Sequence, residues 1–123
     1  MPKKIMIVDD DSDLLVLLRL IFEKEDYEVL TVDSGQDCIK ELERGFEGII
    51  LMDLMMPFMD GWSTIRKMVK KGFTKKVIIS VITANTCPDK QKMKGLEPYI
   101  HEYIEKPFNV EELVLGVEKI KPT

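Results

Sequence analysis

Acidic residues directly follow two short apolar runs in this chain. Asp9 and Asp10 come after the run from Ile5 to Val8, and Asp53 comes after the run from Ile49 to Met52. The interior of a strand solvates charge poorly, so we expect these carboxylates to lie at open strand ends. Two such ends side by side would form an oxygen-rich pocket that suits Mg²⁺. A carboxylate beside Mg²⁺ can attack phosphorus and form an aspartyl phosphate.

A hydroxyl and a lysine follow two later apolar runs. Thr83 ends the run that begins at Val77, and Lys106 comes shortly after Tyr103 and Ile104. A phosphoryl group carries nearly two negative charges and three acceptor oxygens, which a cation, a lysine and a hydroxyl would satisfy together. Taken alone, each of these residues has an ordinary alternative: an acidic helix start, a turn former, a strand threonine or a surface lysine. The prediction of a phosphoryl site therefore depends on the four strand ends lying together.

The composition bounds the class of protein. The 123 residues are 45% hydrophobic, which is enough for one compact domain with one core. A net charge of −4 argues against nucleic-acid binding as the main activity. No apolar run approaches the length of a membrane span, and no signal peptide precedes the first strand. Cys38 and Cys87 are too few for a disulfide framework, so we expect a reduced, cytoplasmic setting.

Apolar runs alternate with segments of helical period along the chain. We predict strands over 5–8, 28–32, 49–52 and 77–82, and a brief fifth strand at Tyr103 and Ile104. This alternation predicts an α/β fold, a doubly wound, flavodoxin-like five-stranded parallel sheet with strand order 2-1-3-4-5. In that order the first and third strands are neighbours. Ligands of such sheets bind outside the carboxyl ends of the strands.

Several helix ends are recognisable in the sequence. Ser34 and Asn109 are candidate N-caps of the second and last helices, and Gly45 and Gly72 end the second and third. In the first helix, where Asp11 or Ser12 could be the N-cap, the residues at helical spacing are Leu14, Leu17, Leu18 and Ile21. In the second and last helices we expect the inner face to comprise Cys38, Ile39 and Leu42, and Leu113, Val117 and Ile120.

The segment between the fourth and fifth strands is harder to interpret. Pro88 could start a helix, but Gly95 and Pro98 would keep it short. The three alternate lysines over 90–94 would be a solvated helix face or would meet an acidic partner. The course of the chain through this helix therefore stays open at this point.

Four motifs occur in a fixed order along nearly the whole chain. They are Ile7-Val8-Asp9-Asp10-Asp11, Met52-Asp53 with Met56-Pro57-Phe58-Met59-Asp60-Gly61, Thr83-Ala84, and Tyr103-Ile104-Glu105-Lys106-Pro107-Phe108. Each motif is modest alone, but the four in this order are highly specific. They resemble the motifs of response-regulator receiver domains of the CheY-like type. We therefore expect residues 1–123 to be a single receiver domain without an output domain, either stand-alone or excised from a larger two-component protein.

The resemblance implies a phosphorelay function. Asp53 would accept a phosphoryl group from a phosphohistidine of a sensor histidine kinase or a phosphotransfer protein. Mg²⁺ would be the cofactor, bound directly by Asp10, largely through water by Asp9, and also by Asp53 and the backbone carbonyl of Met55. The domain would not be an enzyme with external substrates, because it would assist only its own phosphorylation and dephosphorylation.

The resemblance also implies a switch. Thr83 would move toward the phosphoryl group, which Lys106 would contact, and Tyr103 would then turn inward. In this family the bond between Lys106 and Pro107 is usually cis. The fourth helix, fifth strand and fifth helix would form the face that binds a downstream protein or a second copy, with no direct contact to nucleic acid or membrane.

Three other functions are compatible with parts of the pattern. A Mg²⁺-dependent phosphatase would carry a second acid two residues after the nucleophile, where this chain has Met55. An FMN carrier would follow its first strand with a Ser/Thr/Gly-rich loop, whereas the acidic residues here would repel phosphate. A phosphohistidine carrier would place its histidine on an exposed helix, and His101 is not on a predicted helix.

Overall fold

Five strands alternate with five helices in the part of the chain that the structure describes. The computed structural model describes residues 3–56, 58–83 and 90–120. The strands are β1 (Lys3–Val8), β2 (Tyr27–Val32), β3 (Gly48–Asp53), β4 (Val77–Thr83) and β5 (Ile100–Glu105). The helices are α1 (Ser12–Lys24), α2 (Gly35–Glu43), α3 (Gly61–Lys70), α4 (Lys90–Met93) and α5 (Val110–Glu118). Among the residues described, no helix is long and apolar enough to cross a membrane.

All five strands are parallel and lie in the order β2-β1-β3-β4-β5. This is the predicted order, so the ends of β1 and β3 are neighbours. The register places Val8 opposite Met52 and Asp53 opposite Ile82. The chain therefore leaves β1, β3 and β4 at the same edge of the sheet, which is where the acidic residues and Thr83 were expected.

Apolar side chains fill both faces of the sheet. Met6, Val8, Ile50 and Met52 pack on one face with residues of α2 and α3. The alternate residues of the same strands pack on the other face with residues of α1 and α5. Each fully buried aliphatic side chain contributes about 1.5–3 kcal/mol. Burial on both faces explains why these strands are unbroken apolar runs rather than alternating ones.

The inner face of α1 differs from the predicted spacing. Leu15, Leu18 and Phe22 are the buried residues, whereas Leu17 is exposed. Assigning Leu17 to the apolar stripe was therefore wrong. Eight of the nine residues over 14–22 are apolar, and the exception is Arg19. Because nearly every position is apolar, periodicity could not identify the buried face.

The ends that the sequence predicts for α2, α3 and α5 are confirmed. The Ser34 hydroxyl accepts a hydrogen bond from the Asp37 N–H, and the Asn109 side chain accepts one from the Glu112 N–H. Gly45 and Gly72 follow α2 and α3 with φ angles of 102° and 78°, a left-handed conformation that favours glycine. The predicted inner faces of α2 and α5 are also buried.

The segment from α4 to β5 departs most from expectation. β5 has six residues, so the prediction of a brief strand at Tyr103 and Ile104 was too short. Its residues alternate between half-buried and exposed, because β5 is an edge strand next to a helix of only four residues. Four residues singled out in the sequence lie outside the described part of the chain: Pro57, Ala84, Cys87 and Pro88.

Candidate functional site

The end of β1 holds the first acidic residues in place with backbone hydrogen bonds. Asp9 is buried, and its backbone N–H donates to the carbonyl of Val32 in β2 (3.2 Å). One Asp9 carboxylate oxygen accepts the Asp11 N–H at 2.9 Å. Asp11 in turn is the N-cap of α1, where its side chain accepts from the N–H groups of Asp13 and Leu14. Asp10, between them, is exposed.

The end of β3 carries the second acidic residue. Asp53 is 4% exposed, and its Oδ1 accepts the Met55 N–H at 3.0 Å. The next helix returns to this point, because the Gly61 N–H donates to the Leu54 carbonyl at 3.1 Å. Asp60 caps α3, with its Oδ1 accepting the Ser63 N–H at 2.8 Å. The β3–α3 connection is thus tied to the strand end at both of its ends.

Three carboxylates and one lysine meet between these strand ends. Each of Asp9, Asp10 and Asp53 offers a carboxylate oxygen within 4.8 Å of the others. Lys106 Nζ lies 3.2 Å from Asp9 Oδ2 and 3.7 Å from Asp53 Oδ2. The backbone of Lys106 is held against the end of β4, because its N–H donates to the Thr83 carbonyl at 2.8 Å. The carboxylates and the lysine predicted from three separate strand ends therefore come together, and Thr83 adjoins them through its backbone.

The electrostatics of this cluster favour a bound cation. The pKa of Asp53 is raised to about 6, mainly by burial and also by the charge of Asp9, although the Met55 N–H and Lys106 act to lower it. One ammonium group offsets only one of three carboxylate charges. The donors are hard oxygen atoms, the ligands that Mg²⁺ prefers. The residues present therefore fit a Mg²⁺ site.

Thr83 lies on β4, which is next to β3, and Tyr103 lies on β5, the edge strand beyond β4. Thr83 is buried at the end of β4, beside Glu105 of β5 in the register. Tyr103 is opposite Val81 and is 39% exposed. Its ring centroid is 6.4 Å from that of Trp62, with the planes inclined by 47°. Tyr103 is thus partly outside the core and in contact with α3, a neighbour that sequence reasoning did not identify.

The rim of the site is apolar. The side chain of Met55 is largely exposed and that of Phe58 is fully exposed. Phe58 has a φ of 67°, a left-handed conformation that costs a non-glycine residue roughly 1–2 kcal/mol. The peptide bond between Lys106 and Pro107 is cis, in agreement with the expectation. The remaining ligand proposed from sequence, the Met55 carbonyl, belongs to the residue whose N–H already contacts Asp53.

The comparisons with known proteins agree on one family. A family model described as the response regulator receiver domain matches residues 5–118. The transcriptional regulatory protein ResD of Bacillus subtilis (strain 168) is 36% identical over 118 residues, 95% of this chain and 47% of that protein. A crystal structure of a CheY-like response regulator receiver domain protein from Methanospirillum hungatei JF-1 is 38% identical with a TM-score of 0.88. The match covers 95% of this chain and 92% of the Methanospirillum chain.

A third relative was solved with ligands. The response regulator protein TrrA from Thermotoga maritima, in complex with Mg²⁺-BeF, is 27% identical with a TM-score of 0.79, over 95% of this chain and 97% of its own. This chain spans about half the length of the curated relatives it matches. Phosphorylation on aspartate with Mg²⁺ is general among receiver domains of two-component response regulators. By the extent of the family match and the order of its sheet, the chain belongs to the response regulator receiver domain family.

Proposed function

We propose that this receiver domain accepts a phosphoryl group on Asp53 from a phosphohistidine of a sensor histidine kinase or a phosphotransfer protein. The observation that carries the proposal is the meeting of Lys106 with Asp9, Asp10 and the buried Asp53 at the ends of β1 and β3. Receiver domains are signalling domains. The proposal assigns the acceptor and the supporting groups in this chain.

Each residue has a distinct part in the proposed reaction. A carboxylate oxygen of Asp53 attacks phosphorus, and the bond to the histidine nitrogen breaks with its electron pair left on the imidazole. Lys106 donates to a phosphoryl oxygen, and the Thr83 hydroxyl donates to another. Mg²⁺, held by Asp9, Asp10, Asp53 and the Met55 carbonyl, would supply positive charge to the carboxylates and the phosphoryl oxygens.

The proposal is tested by intact mass after incubation with Mg²⁺ and acetyl phosphate. We expect one phosphoryl adduct on the wild type and none on Asp53→Asn, which keeps the size of the side chain. Asp33→Asn, a change outside the cluster, should retain the adduct. An adduct that persists on Asp53→Asn would place the acceptor elsewhere, and a wild type with neither adduct nor Mg²⁺ binding would refute the proposal.

The domain is proposed to act as a switch rather than on external substrates. Met55 occupies the position where an aspartyl-phosphate phosphatase would need its second acid, and its side chain points largely to solvent. Phosphorylation is proposed to draw Thr83 toward Asp53 and Tyr103 inward. The face formed by α4, β5 and α5 would then bind a downstream protein or a second copy.

The outer face of α1 is proposed to dock the phosphodonor. Val16, Leu17 and Leu20 are exposed together on this face, with Val16 and Leu20 61% exposed. The helix begins at its Asp11 cap, two residues after Asp9, so α1 starts beside the proposed phosphoacceptor site. A donor that presents its histidine to Asp53 must lie against this rim. An apolar face on the donor would complement α1.

Charging this face should slow phosphotransfer selectively. Leu20→Glu is expected to lower the rate from a phosphorylated histidine kinase that acts on the wild type by about tenfold or more, as for loss of an apolar interface residue. Labelling by acetyl phosphate should not change, because that donor needs no docking face. Leu115→Glu, at an equally exposed leucine of α5, is the matched control. Equal losses in both variants, or a loss with acetyl phosphate, would contradict docking on α1.

A further inference from the structure

Helix α4 depends on α3 for its position. It has only four residues, and a single helical turn is unstable alone. Met93, half-buried, and Leu96, buried, pack into the core cluster that includes Trp62 and Ile65 of α3. Beyond this apolar contact, two polar residues at the beginning and middle of α3 reach α4.

The first of these is Asp60, whose carboxylate serves two elements. Its Oδ1 accepts the Ser63 N–H at 2.8 Å as the cap of α3, and its Oδ2 lies 3.0 Å from Lys92 Nζ of α4. Burial raises the pKa of Asp60, but the hydrogen bonds from Ser63 and Lys92 outweigh it and the pKa is lowered. The ionised carboxylate is therefore the form that holds both elements.

The second is Arg66, which contacts the backbone of the same turn. Its Nη2 donates to the Lys92 carbonyl at 2.9 Å and approaches the Lys94 carbonyl at 3.4 Å. These carbonyls are at the end of α4, where helical hydrogen bonding runs out. Residue 92 is thus held through its side chain by Asp60 and through its backbone by Arg66.

The same contacts lead back to the phosphoacceptor. Asp60 is bonded to Gly61, whose N–H donates to the Leu54 carbonyl. A Cβ on Gly61 would lie 2.6 Å from the Asp53 carbonyl oxygen, so the start of α3 is in close contact with the end of β3. A displacement of the Asp53 backbone would therefore also displace Asp60.

We propose that Asp60 is the positioning residue that couples the phosphoacceptor loop to α4, and that its ion pair with Lys92 holds α4 in the unphosphorylated position. The inference rests on the proposed function of Asp53. An exposed ion pair of this kind contributes little to overall stability. It is nevertheless sufficient to bias a two-state equilibrium about two- to fivefold.

The test separates the ion pair from the helix cap. Asp60→Asn removes the charge but keeps a good N-cap, and Lys92→Gln removes the other partner. The readouts are hydrogen exchange of the α4 amides and the affinity for beryllofluoride with Mg²⁺, a mimic of the phosphoryl group. Each variant should exchange faster in α4, keep wild-type exchange in α3, and bind beryllofluoride about two- to fivefold more tightly, since coupling is reciprocal. The double variant should bind no more tightly than either single one.

Lys71→Gln is the matched control, because it breaks a comparable exposed pair between α3 and α2, Lys71 with Glu43 at 3.2 Å. Its affinity for beryllofluoride should equal that of the wild type. Unchanged affinity in Asp60→Asn and Lys92→Gln would overturn the inference, as would an equal shift in Lys71→Gln. A wild type that fails to bind beryllofluoride would instead refute the function proposed for Asp53.

Discussion

Gly61→Ala is expected to destabilise the domain by about 3 kcal/mol and to abolish phosphorylation of Asp53. A Cβ at this position would lie 2.6 Å from the Asp53 carbonyl oxygen and 2.8 Å from Leu54 Cα. Both are backbone atoms of the strand end, so no side-chain rotation can relieve the overlap. The first turn of α3 would have to move away, which breaks the hydrogen bond from residue 61 to Leu54. Urea denaturation and acetyl phosphate labelling measure the two effects.

Gly116→Ala is the matched control for this prediction. It also replaces a glycine of a helix, but the nearest atoms to its Cβ would be those of the Glu102 carboxylate, with the oxygens at 3.3 and 3.4 Å. That flexible group can shift by a few tenths of an ångström. Alanine is the better helix former by about 1 kcal/mol, so this variant should be neutral or more stable. Equal destabilisation in both variants would show that the contact of α3 with the strand end is not the cause.

Asp53→Asn is expected to stabilise the metal-free domain at neutral pH by on the order of 2 kcal/mol. The pKa of Asp53 is raised from 3.8 to about 6, chiefly by burial, so its charge is less stable in the folded than in the unfolded state. Asparagine removes that charge and leaves Lys106 paired with Asp9. Thermal unfolding in EDTA should therefore give a higher midpoint for the variant. A lower midpoint would contradict this.

The same shift determines the dependence on pH. The folded pKa of Asp53 lies above the unfolded one. Between pH 3.8 and about 6, the carboxyl group is therefore protonated in more of the folded molecules than of the unfolded ones. The contribution of Asp53 to stability is thus most favourable below pH 3.8 and is lost as the pH rises through about 6. Asp53→Asn should lack this component. With Mg²⁺ at pH 7, the wild type should have the higher unfolding midpoint. Mg²⁺ stabilises the wild type by binding, whereas the variant lacks one proposed ligand.

Much of the fold could be predicted because short stretches of sequence determine its strands and helix ends. The runs in β1, β3 and β4 are buried on both faces, and the caps Ser34 and Asn109 act within three residues. The face of α1 could not be predicted, since an almost wholly apolar helix has no unique inner stripe. β5 was underestimated because an edge strand keeps polar residues such as His101 and Glu102 among its apolar ones.

The residues of the candidate site could be predicted, but the contacts between α3 and α4 could not. Parallel strands end at one edge, so Asp9, Asp53 and Lys106 had to be close once the order was known. The pair of Asp60 with Lys92 joins side chains 32 positions apart on two different helices, and no local pattern specifies it. An aspartate directly before a helix-starting glycine is an N-cap signal that could have drawn attention to Asp60.

Trp62 gives the domain an optical reporter of its own. It is the one tryptophan in the chain, is buried, and lies with its ring centroid 6.4 Å from that of Tyr103. Indole emission responds to the polarity and to the aromatic neighbours of the ring. A change in the position of Tyr103 should therefore alter the emission of the unlabelled protein, so the proposed switch can be followed in real time without an attached dye.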